Sequence, residues 1–182
     1  FAAMYVSEKD GGSGLTRLDA TLVFEALALA CPSVSSFISI HNMCVWMISK
    51  NGSVELKAKY LRPLLDLSQV CSYCLTEPGS GSDAAALKSS AKRTNTGYIL
   101  NGTKAFTSGG GFSDLYIIMA RSGADGPKGI STFLVKSDKS GLSFGKKEQK
   151  MGWKAQPTAQ INLTDCRIGS EDILGEEGRG FY

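Results

Sequence analysis

Residues 74–83 read Cys-Leu-Thr-Glu-Pro-Gly-Ser-Gly-Ser-Asp, and this stretch governs how the rest of the sequence is interpreted. It ends a short apolar run and carries three small hydroxyl residues, Thr76, Ser80 and Ser82, together with two glycines. Glycines let a ligand approach the backbone closely, and hydroxyls supply uncharged hydrogen-bond donors and acceptors. This combination at the end of a strand indicates a site for a planar heteroaromatic ring with several polar edge atoms.

A second stretch has the same character. Residues 104–111 read Lys-Ala-Phe-Thr-Ser-Gly-Gly-Gly and end another predicted strand. If the two strand ends are neighbours, Thr76 and Ser108 converge on one edge of a ligand, and Phe106 packs against it. These residues alone support a ligand site and do not identify the ligand.

The chain before residue 70 has helical patterning. Residues 16–19 resemble a capping box with Asp in place of the usual Glu, and the helix that follows ends at Cys31-Pro32. A second helix is predicted over 35–50, and a third from Ser53 to just before Pro63. The first helix carries an apolar stripe at three-to-four spacing: Leu18, Leu22, Ala26 and Leu29.

After residue 70 the pattern is that of short strands with frequent turns. Asn101-Gly102 between two extended runs predicts a type I′ hairpin. Further strands are predicted over 115–120, 130–135 and 158–163. The fold class is therefore α+β: a helical N-terminal part, residues 1–70, followed by a small β-barrel or sandwich, residues 71–182.

Composition narrows the function classes. The chain has 182 residues, of which 42% are hydrophobic, and its 20 Lys and Arg nearly balance 17 Asp and Glu. This balance argues against a strongly basic nucleic-acid binder and against an acidic disordered tail. No apolar run approaches the roughly 18 residues of a membrane helix, so no integral membrane segment is expected. The sequence starts without a Met and is interpreted as a segment of a longer protein, with any targeting peptide upstream.

Cysteine and histidine offer no metal site. Five cysteines at irregular spacing argue against a disulfide framework and for a reducing compartment. Cys71 and Cys74 have the spacing of half a zinc site, but no second pair follows, so both are predicted to be packed strand residues. The single histidine, His41, shares a helical stripe with apolar residues and is predicted to be a hydrogen-bonded core residue.

Three other groups are weaker candidates for chemistry. The loop 11–14 could cradle a phosphate ahead of a helix, although a plain turn is favoured. A basic cluster could attract a phosphorylated ligand, although a solvated loop is favoured; it comprises Lys146, Lys147, Lys150 and Lys154. Glu176 and Glu177 could divide acid and base roles, but adjacent carboxylates on a glycine loop are more often simply exposed.

The stretch from Cys74 to Ala86 resembles the first signature of the acyl-CoA dehydrogenase family. The resemblance extends over essentially the whole chain, with similar residues at 101–104, 147–148, 151–152 and 175–181. Other segments resemble the members that act on short branched acyl chains; they are 11–15, 17–19, 24–28, 38–44 and 141–148.

The resemblance implies a subunit of three parts, in which a C-terminal four-helix domain follows this segment. It implies the cofactor FAD and α,β-dehydrogenation of a short branched acyl-CoA such as isobutyryl-CoA, a step of valine catabolism. It also implies electron-transferring flavoprotein as the electron acceptor, a homotetramer and the mitochondrial matrix.

Carried over by position, the resemblance implies that Tyr73, Leu75 and Thr76 lie along the flavin. The backbone at Leu75 and Thr76 and the Thr76 hydroxyl would bond the pyrimidine edge of the ring. Ser108 would bond near N5, and Phe106 would cover the ring where many members have Trp.

The remaining implied site residues come from the same two stretches. Thr107 belongs to the cofactor site and stands where an aliphatic residue is usual. Gly81 and Ser82 would line the passage shared by FAD and acyl-CoA, and Ser82 would also touch the CoA chain. Arg167-Ile168-Gly169 departs from the more typical Val-Pro of the family.

No catalytic residue is assigned within the segment. The resemblance implies that the catalytic base is a glutamate beyond Tyr182, in the C-terminal helical domain. Glu77 belongs instead to the signature from Cys74 to Ala86, here called the flavin signature. Two alternatives stay open: a non-catalytic binding or assembly module with the same fold, and an acyl-CoA oxidase that uses dioxygen.

Overall fold

The structure is a computed structural model and describes residues 1–181. Three α-helices precede seven β-strands. The helices are α1 (Arg17–Ala30), α2 (Pro32–Asn51) and α3 (Val54–Leu65). The strands are β1 (Cys71–Cys74), β2 (Ser90–Arg93), β3 (Gly97–Ser108), β4 (Leu115–Arg121), β5 (Ile130–Lys136), β6 (Leu142–Lys147) and β7 (Thr158–Gly169).

The first helix starts at the predicted cap, whereas the start of the second helix and the end of the third differ from the prediction. The capping box is formed: the Asp19 amide donates to Thr16 Oγ1 over 3.1 Å, and the Thr16 amide donates to Asp19 Oδ2 over 2.9 Å. The second helix already starts at Pro32, because proline suits a first helical position whose N–H needs no partner. The third continues past Pro63 to Leu65, because the fully buried Leu64 keeps the last turn packed on the core.

The strands form one seven-stranded sheet that curves into a half-barrel. The order along the sheet is β1-β4-β2-β3-β7-β6, and β5 pairs with β4. β1 runs parallel to β4 with Cys71 opposite Leu115, whereas β3 and β7 form a long antiparallel pair. The parallel pairing of β1 and β4 brings the end of β1 beside the long strand β3, at the edge where the candidate ligand site was predicted.

The central strand β4 is buried on both faces. Leu115 and Ile117 pack into one apolar cluster with the buried faces of α2 and α3. Tyr116 and Ile118 point the other way, into the interior of the curved sheet. Burial on both sides explains why this segment is continuously apolar and does not alternate with polar residues.

The prediction of a hairpin at Asn101-Gly102 is wrong. β3 runs straight through these residues, with a bulge in its pairing with β7 between Leu100 and Gly102. The Asn101 side chain bonds across the bulge, since its Oδ1 accepts from the Asp165 amide over 2.8 Å. Gly102 has a φ of 145°, so this glycine serves a bulge where a turn was expected. The turn between β2 and β3 lies earlier, where the Thr94 amide donates to the Gly97 carbonyl over 2.8 Å.

The apolar stripe of α1 is largely uncovered within residues 1–181. Leu18, Leu22 and Leu29 are 70%, 57% and 88% exposed. The stripe therefore predicted the helix correctly, while the surface that it would pack on is not found in the described part of the chain.

Cys71 and Cys74 are packed strand residues, as predicted. Cys71 and Cys74 are buried in β1, and all five cysteines are free. Within residues 1–181, no three or more His, Cys, Asp or Glu side chains come together as a metal site would require. No helix in that range combines the length and apolarity needed to cross a membrane.

His41 is the hydrogen-bonded core residue that was predicted. It is 1% exposed, and its Nε2 bonds the Leu64 carbonyl over 3.0 Å. Its Nδ1 accepts a bond from the Cys71 amide over 3.1 Å, so the ring is neutral and links α3 to β1. Burial lowers the pKa of His41 and outweighs the opposing effect of the Leu64 carbonyl.

The depressed pKa of His41 predicts a loss of stability on mild acidification. The unfolded chain binds a proton near pH 6.5 that the folded chain refuses, so the free energy of unfolding falls as the pH drops through about 6.5. Urea denaturation at pH 7.5 and pH 5.5 measures this fall. His41→Gln, which cannot titrate, should be less stable at pH 7.5 yet lose less stability between the two pH values; equal losses in both proteins would disprove the assignment.

Candidate functional site

The ends of β1 and β3 are neighbours, so the condition for a joint site at Thr76 and Ser108 is met. The Ala105 amide donates to the Thr76 carbonyl over 2.8 Å. Ala105 lies in β3, three residues before Ser108, and Thr76 lies two residues after the end of β1. This bond places Thr76 and the end of β3 on the same edge of the sheet.

Side-chain hydroxyl groups bond the backbone carbonyls at Ser108 and Gly109 and fix the position of this segment. The Ser72 hydroxyl donates to the Ser108 carbonyl over 2.5 Å and lies 2.7 Å from the Ser113 hydroxyl. The Tyr116 hydroxyl donates to the Gly109 carbonyl over 3.1 Å. Gly109 has a φ of 80°, a conformation that favours glycine, and this turns the chain sharply after Ser108.

The edge between the two strand ends carries donors without partners. Among residues 1–181, the amides of Leu75 and Thr76 have no acceptor, and the hydroxyls of Thr76 and Ser108 have no hydrogen-bond partner. Phe106 stands beside them, 68% exposed and held at a φ of 55°. An exposed aromatic side chain in a strained conformation, next to unpartnered donors, fits the flat face and polar edge of the flavin of FAD.

The other predicted site residues lie in three different environments. Gly81 and Ser82 are exposed on the loop after Thr76, and a Cβ at Gly81 would meet no atom within 4 Å. Tyr73 is partly buried and lines a cavity of about 790 Å³ between α2 and the C-terminal residues. Thr107 is 2% exposed, so its side chain faces the interior and only its backbone can belong to the exposed edge.

Glu77 closes the loop that carries Gly81 and Ser82. Its carboxylate accepts bonds from the Lys88 amide over 2.6 Å and the Ser89 amide over 2.9 Å. The buried Lys104 ammonium donates to the same carboxylate over 2.7 Å. Burial raises the pKa of Glu77, but the bonds from Lys104 and Ser89 outweigh burial and leave the pKa lowered. A carboxylate held in this way serves the structure of the loop and is not available as a base.

Arg121 holds the far end of the same loop. Its guanidinium donates to the Ala85 carbonyl over 2.7 Å and to the Leu87 carbonyl over 3.1 Å. It also donates to the Ala124 and Gly126 carbonyls over 2.7 and 3.0 Å. One side chain of β4 thus ties the loop after Thr76 to the loop after β4.

Several groups of the weaker candidates are held by bonds to other parts of the chain. The amides at 11–14 are all used within the loop, as in the bond from Gly14 to the Val6 carbonyl over 2.9 Å, so none is free to cradle a phosphate. In the basic cluster, the Lys150 ammonium is turned inward to Thr158 Oγ1 over 2.9 Å. Glu177 is paired with Arg93 over 2.8 Å and does not act with its neighbour.

Neither Lys104 nor Arg121 is among the predicted site residues. The sequence does contain a signal for Lys104, because it lies an even number of residues after Tyr98 and Leu100, which face the interior of the sheet. A lysine at such a position predicts a buried cation with a partner. Arg121 lies at the exposed end of its strand, and nothing local indicates the carbonyls that it binds.

Comparison with known proteins agrees with this geometry. Residues 1–68 match the acyl-CoA dehydrogenase N-terminal domain, and residues 72–166 match the acyl-CoA dehydrogenase middle domain. The chain is 51% identical over 181 residues to mitochondrial isobutyryl-CoA dehydrogenase of Bos taurus, covering 100% of this chain and 44% of that protein. It is 53% identical over 182 residues to the Dictyostelium discoideum protein of the same name, with the same two shares covered.

A solved structure extends the comparison to the fold. The FAD complex of PigA superposes with a TM-score of 0.94 at 34% identity, covering 99% of this chain and 48% of that one. The chain thus spans somewhat less than half the length of the proteins that it matches. Since the two domain models of the family match residues 1–68 and 72–166, and more than half of the residues are identical to those of one relative, the chain belongs to the acyl-CoA dehydrogenase family.

Proposed function

We propose that the whole protein is an FAD-dependent acyl-CoA dehydrogenase that forms the α,β double bond of a short branched acyl-CoA. Isobutyryl-CoA is the proposed substrate because the relatives with about half of their residues in common carry that substrate in their names. Electron-transferring flavoprotein is the proposed acceptor, as the family resemblance implies.

One observation carries the proposal. The ends of β1 and β3 are joined at Thr76 and Ala105, and the donors at Leu75, Thr76 and Ser108 have no partner among residues 1–181, beside exposed Phe106. Donors at a partly exposed edge that no described residue uses are available to a ligand. FAD would satisfy these donors, and when bound it would take up the two electrons released by the substrate.

The residues of this chain would orient the flavin and stabilise its reduced form. The amides of Leu75 and Thr76 would hold the pyrimidine edge, where negative charge grows on reduction, and preformed donors stabilise such charge strongly. The Ser108 hydroxyl would bond near N5, and Gly81 and Ser82 would leave room for the acyl-CoA chain. The family resemblance implies that the α-proton would go to a glutamate in the segment after residue 182. Glu77 would not take this role, since it is bound by Lys104.

The domain division, the oligomeric state and the cellular location are proposed from the resemblance to the same family. We propose a division of this chain near residue 70 into a partial N-terminal helical domain and a middle domain, followed by a C-terminal helical domain. A homotetramer in the mitochondrial matrix is proposed, and the names of the two relatives above include the mitochondrion.

Anaerobic titration of the full-length protein with isobutyryl-CoA tests this function. Flavin absorbance in the visible range should bleach in proportion to added substrate, and electron-transferring flavoprotein should restore it. Failure of every short acyl-CoA to bleach a protein loaded with FAD would favour the non-catalytic module. Rapid reoxidation by dioxygen with stoichiometric peroxide would favour the oxidase.

Ser108→Ala is expected to slow flavin reduction by bound substrate by at least about tenfold while leaving the dissociation constant of acyl-CoA nearly unchanged. A hydrogen bond to a charged group contributes about 1.5–3 kcal/mol, and each 1.4 kcal/mol is about tenfold. Stopped-flow absorbance measures the rate. Ser143→Ala, at an exposed serine of β6, is the control; an equal reduction rate in Ser108→Ala and parent would remove Ser108 from the site.

A further inference from the structure

Lys104 is a cation in the interior of the sheet. Its side chain is 0% exposed, and its ammonium lies 2.7 Å from Glu77 Oε1. An isolated charge at such a position is strongly unfavourable, and even a paired charge is often no better than apolar residues of the same volume. The ion pair therefore contributes little to stability, and the other contact of the ammonium indicates a second role.

The ammonium has a second partner in the flavin signature. Lys104 Nζ donates to the Leu75 carbonyl over 3.2 Å. That carbonyl belongs to the peptide group whose N–H is the Thr76 amide. The described chain has no cis peptide bond, so the C=O and N–H of this group point in opposite directions. With the carbonyl turned inward to Lys104, the Thr76 N–H points outward, to the edge where donors lack partners.

A cation on the carbonyl changes the donor at the other end of the peptide. Bonds in a chain polarise one another, and bonds with an ionised member are shorter and about twice as strong as neutral ones. Because Lys104 is fully buried, water does not weaken this effect. The Thr76 N–H is thereby a stronger donor than an ordinary amide.

The carboxylate of Glu77 weakens the field of the ammonium but does not replace its bond to the Leu75 carbonyl. The same carboxylate also accepts bonds from the Lys88 and Ser89 amides. Burial lowers the pKa of Lys104 and bonding to Glu77 opposes that change. The lowered pKa of Glu77 keeps the carboxylate ionised beside the ammonium.

We propose that Lys104 is a positioning residue that tunes the flavin: by binding the Leu75 carbonyl, its ammonium fixes and polarises the Thr76 amide against the pyrimidine edge and so favours the reduced ring. The proposal rests on the proposed function, since it needs the flavin at Thr76. It concerns the redox equilibrium of the cofactor and adds to the binding role of the loop.

The test compares the parental full-length protein, loaded with FAD, with Glu77→Gln/Lys104→Met. The double substitution removes both charges of the pair, so no uncompensated charge stays buried. Loss of the carboxylate alone would favour the reduced, negatively charged ring, so it cannot cause a fall in potential. The double variant should disfavour flavin reduction by about tenfold relative to the parental protein, which for a two-electron couple is about 30 mV in midpoint potential. Equal potentials would overturn the proposal, because a residue that only supports the fold would alter stability and FAD affinity without moving the potential.

Two further measurements cover other outcomes. Lys104→Arg keeps a cation and should keep the parental potential; a potential as low as that of the double variant would contradict the role of charge. If the double variant does not fold, Lys104→Gln replaces it as a variant without the ammonium: a midpoint potential lower than that of the parental protein supports the proposal, and an equal potential overturns it. A parental protein that binds no FAD would refute the proposed function itself, and that result is distinct from the others.

Discussion

Gly109→Ala is expected to abolish stable FAD binding by the full-length protein, with a loss of affinity of about a hundredfold or more. A Cβ at this position would lie 2.3 Å from Ser72 Oγ and 2.4 Å from Ser113 Oγ. The Ser72 hydroxyl bonds the Ser108 carbonyl and the Ser113 hydroxyl bonds Ser72, so neither can move aside without disturbing the support of Ser108. The positive φ adds about 1–2 kcal/mol of strain. Flavin content after purification and fluorescence titration of the apo-protein with FAD measure the effect.

Gly126→Ala separates the strain from the clash. Gly126 has a φ of 86° and a ψ of −178°, a conformation that essentially only glycine adopts, but a Cβ there would meet nothing within 4 Å. This control should lose about 1–3 kcal/mol of stability and keep its FAD. An equal loss of FAD in both variants would show that the packing under Ser108 does not matter.

Arg121→Met is expected to lower the free energy of unfolding by about 2–4 kcal/mol, since carbonyls stripped of a donor cost about 1–3 kcal/mol each where water cannot replace it. The carbonyls of Ala85 and Leu87 lose their partner, so the loop with Gly81 and Ser82 should loosen. Urea denaturation measures the stability. Hydrogen exchange should accelerate over residues 84–88, and the KM for acyl-CoA should rise.

Arg93→Met is the matched control. Arg93 makes an exposed ion pair with Glu177 over 2.8 Å, and such pairs contribute about 0–1 kcal/mol. If the two variants lost the same stability, the bonds from Arg121 to the loop would have no special weight.

Much of the fold follows from short-range patterns. Helix α1 begins at a capping box that is visible at residues 16–19, and β4 is visible as a buried apolar run. The hairpin at Asn101-Gly102 is wrong because the local signal for a turn competes with a pairing to β7 that is distant in sequence. The glycine there relieves a bulge, and only the partner strand decides between the two structures.

The candidate site also has a part that short-range patterns predict and a part that depends on contacts distant in sequence. Thr76 and Ser108 could be predicted because small hydroxyl residues and glycines cluster at the ends of two predicted strands. The supports beneath them could not, since Ser72 reaches Ser108 across 36 residues and Arg121 reaches Ala85 across 36. Lys104 is intermediate: its position in the strand predicts burial, but its second partner, the Leu75 carbonyl, depends on how β1 lies beside β3.

The most direct measurement is an experimental structure of the full-length protein with FAD bound. The Thr76 amide should lie about 3 Å from an oxygen or nitrogen of the pyrimidine edge, and the Ser108 hydroxyl about 3 Å from the region of N5. A tricyclic ring bound elsewhere, with the donors at Thr76 and Ser108 satisfied by other residues of the chain, would contradict the proposal that these two strand ends meet to hold the flavin.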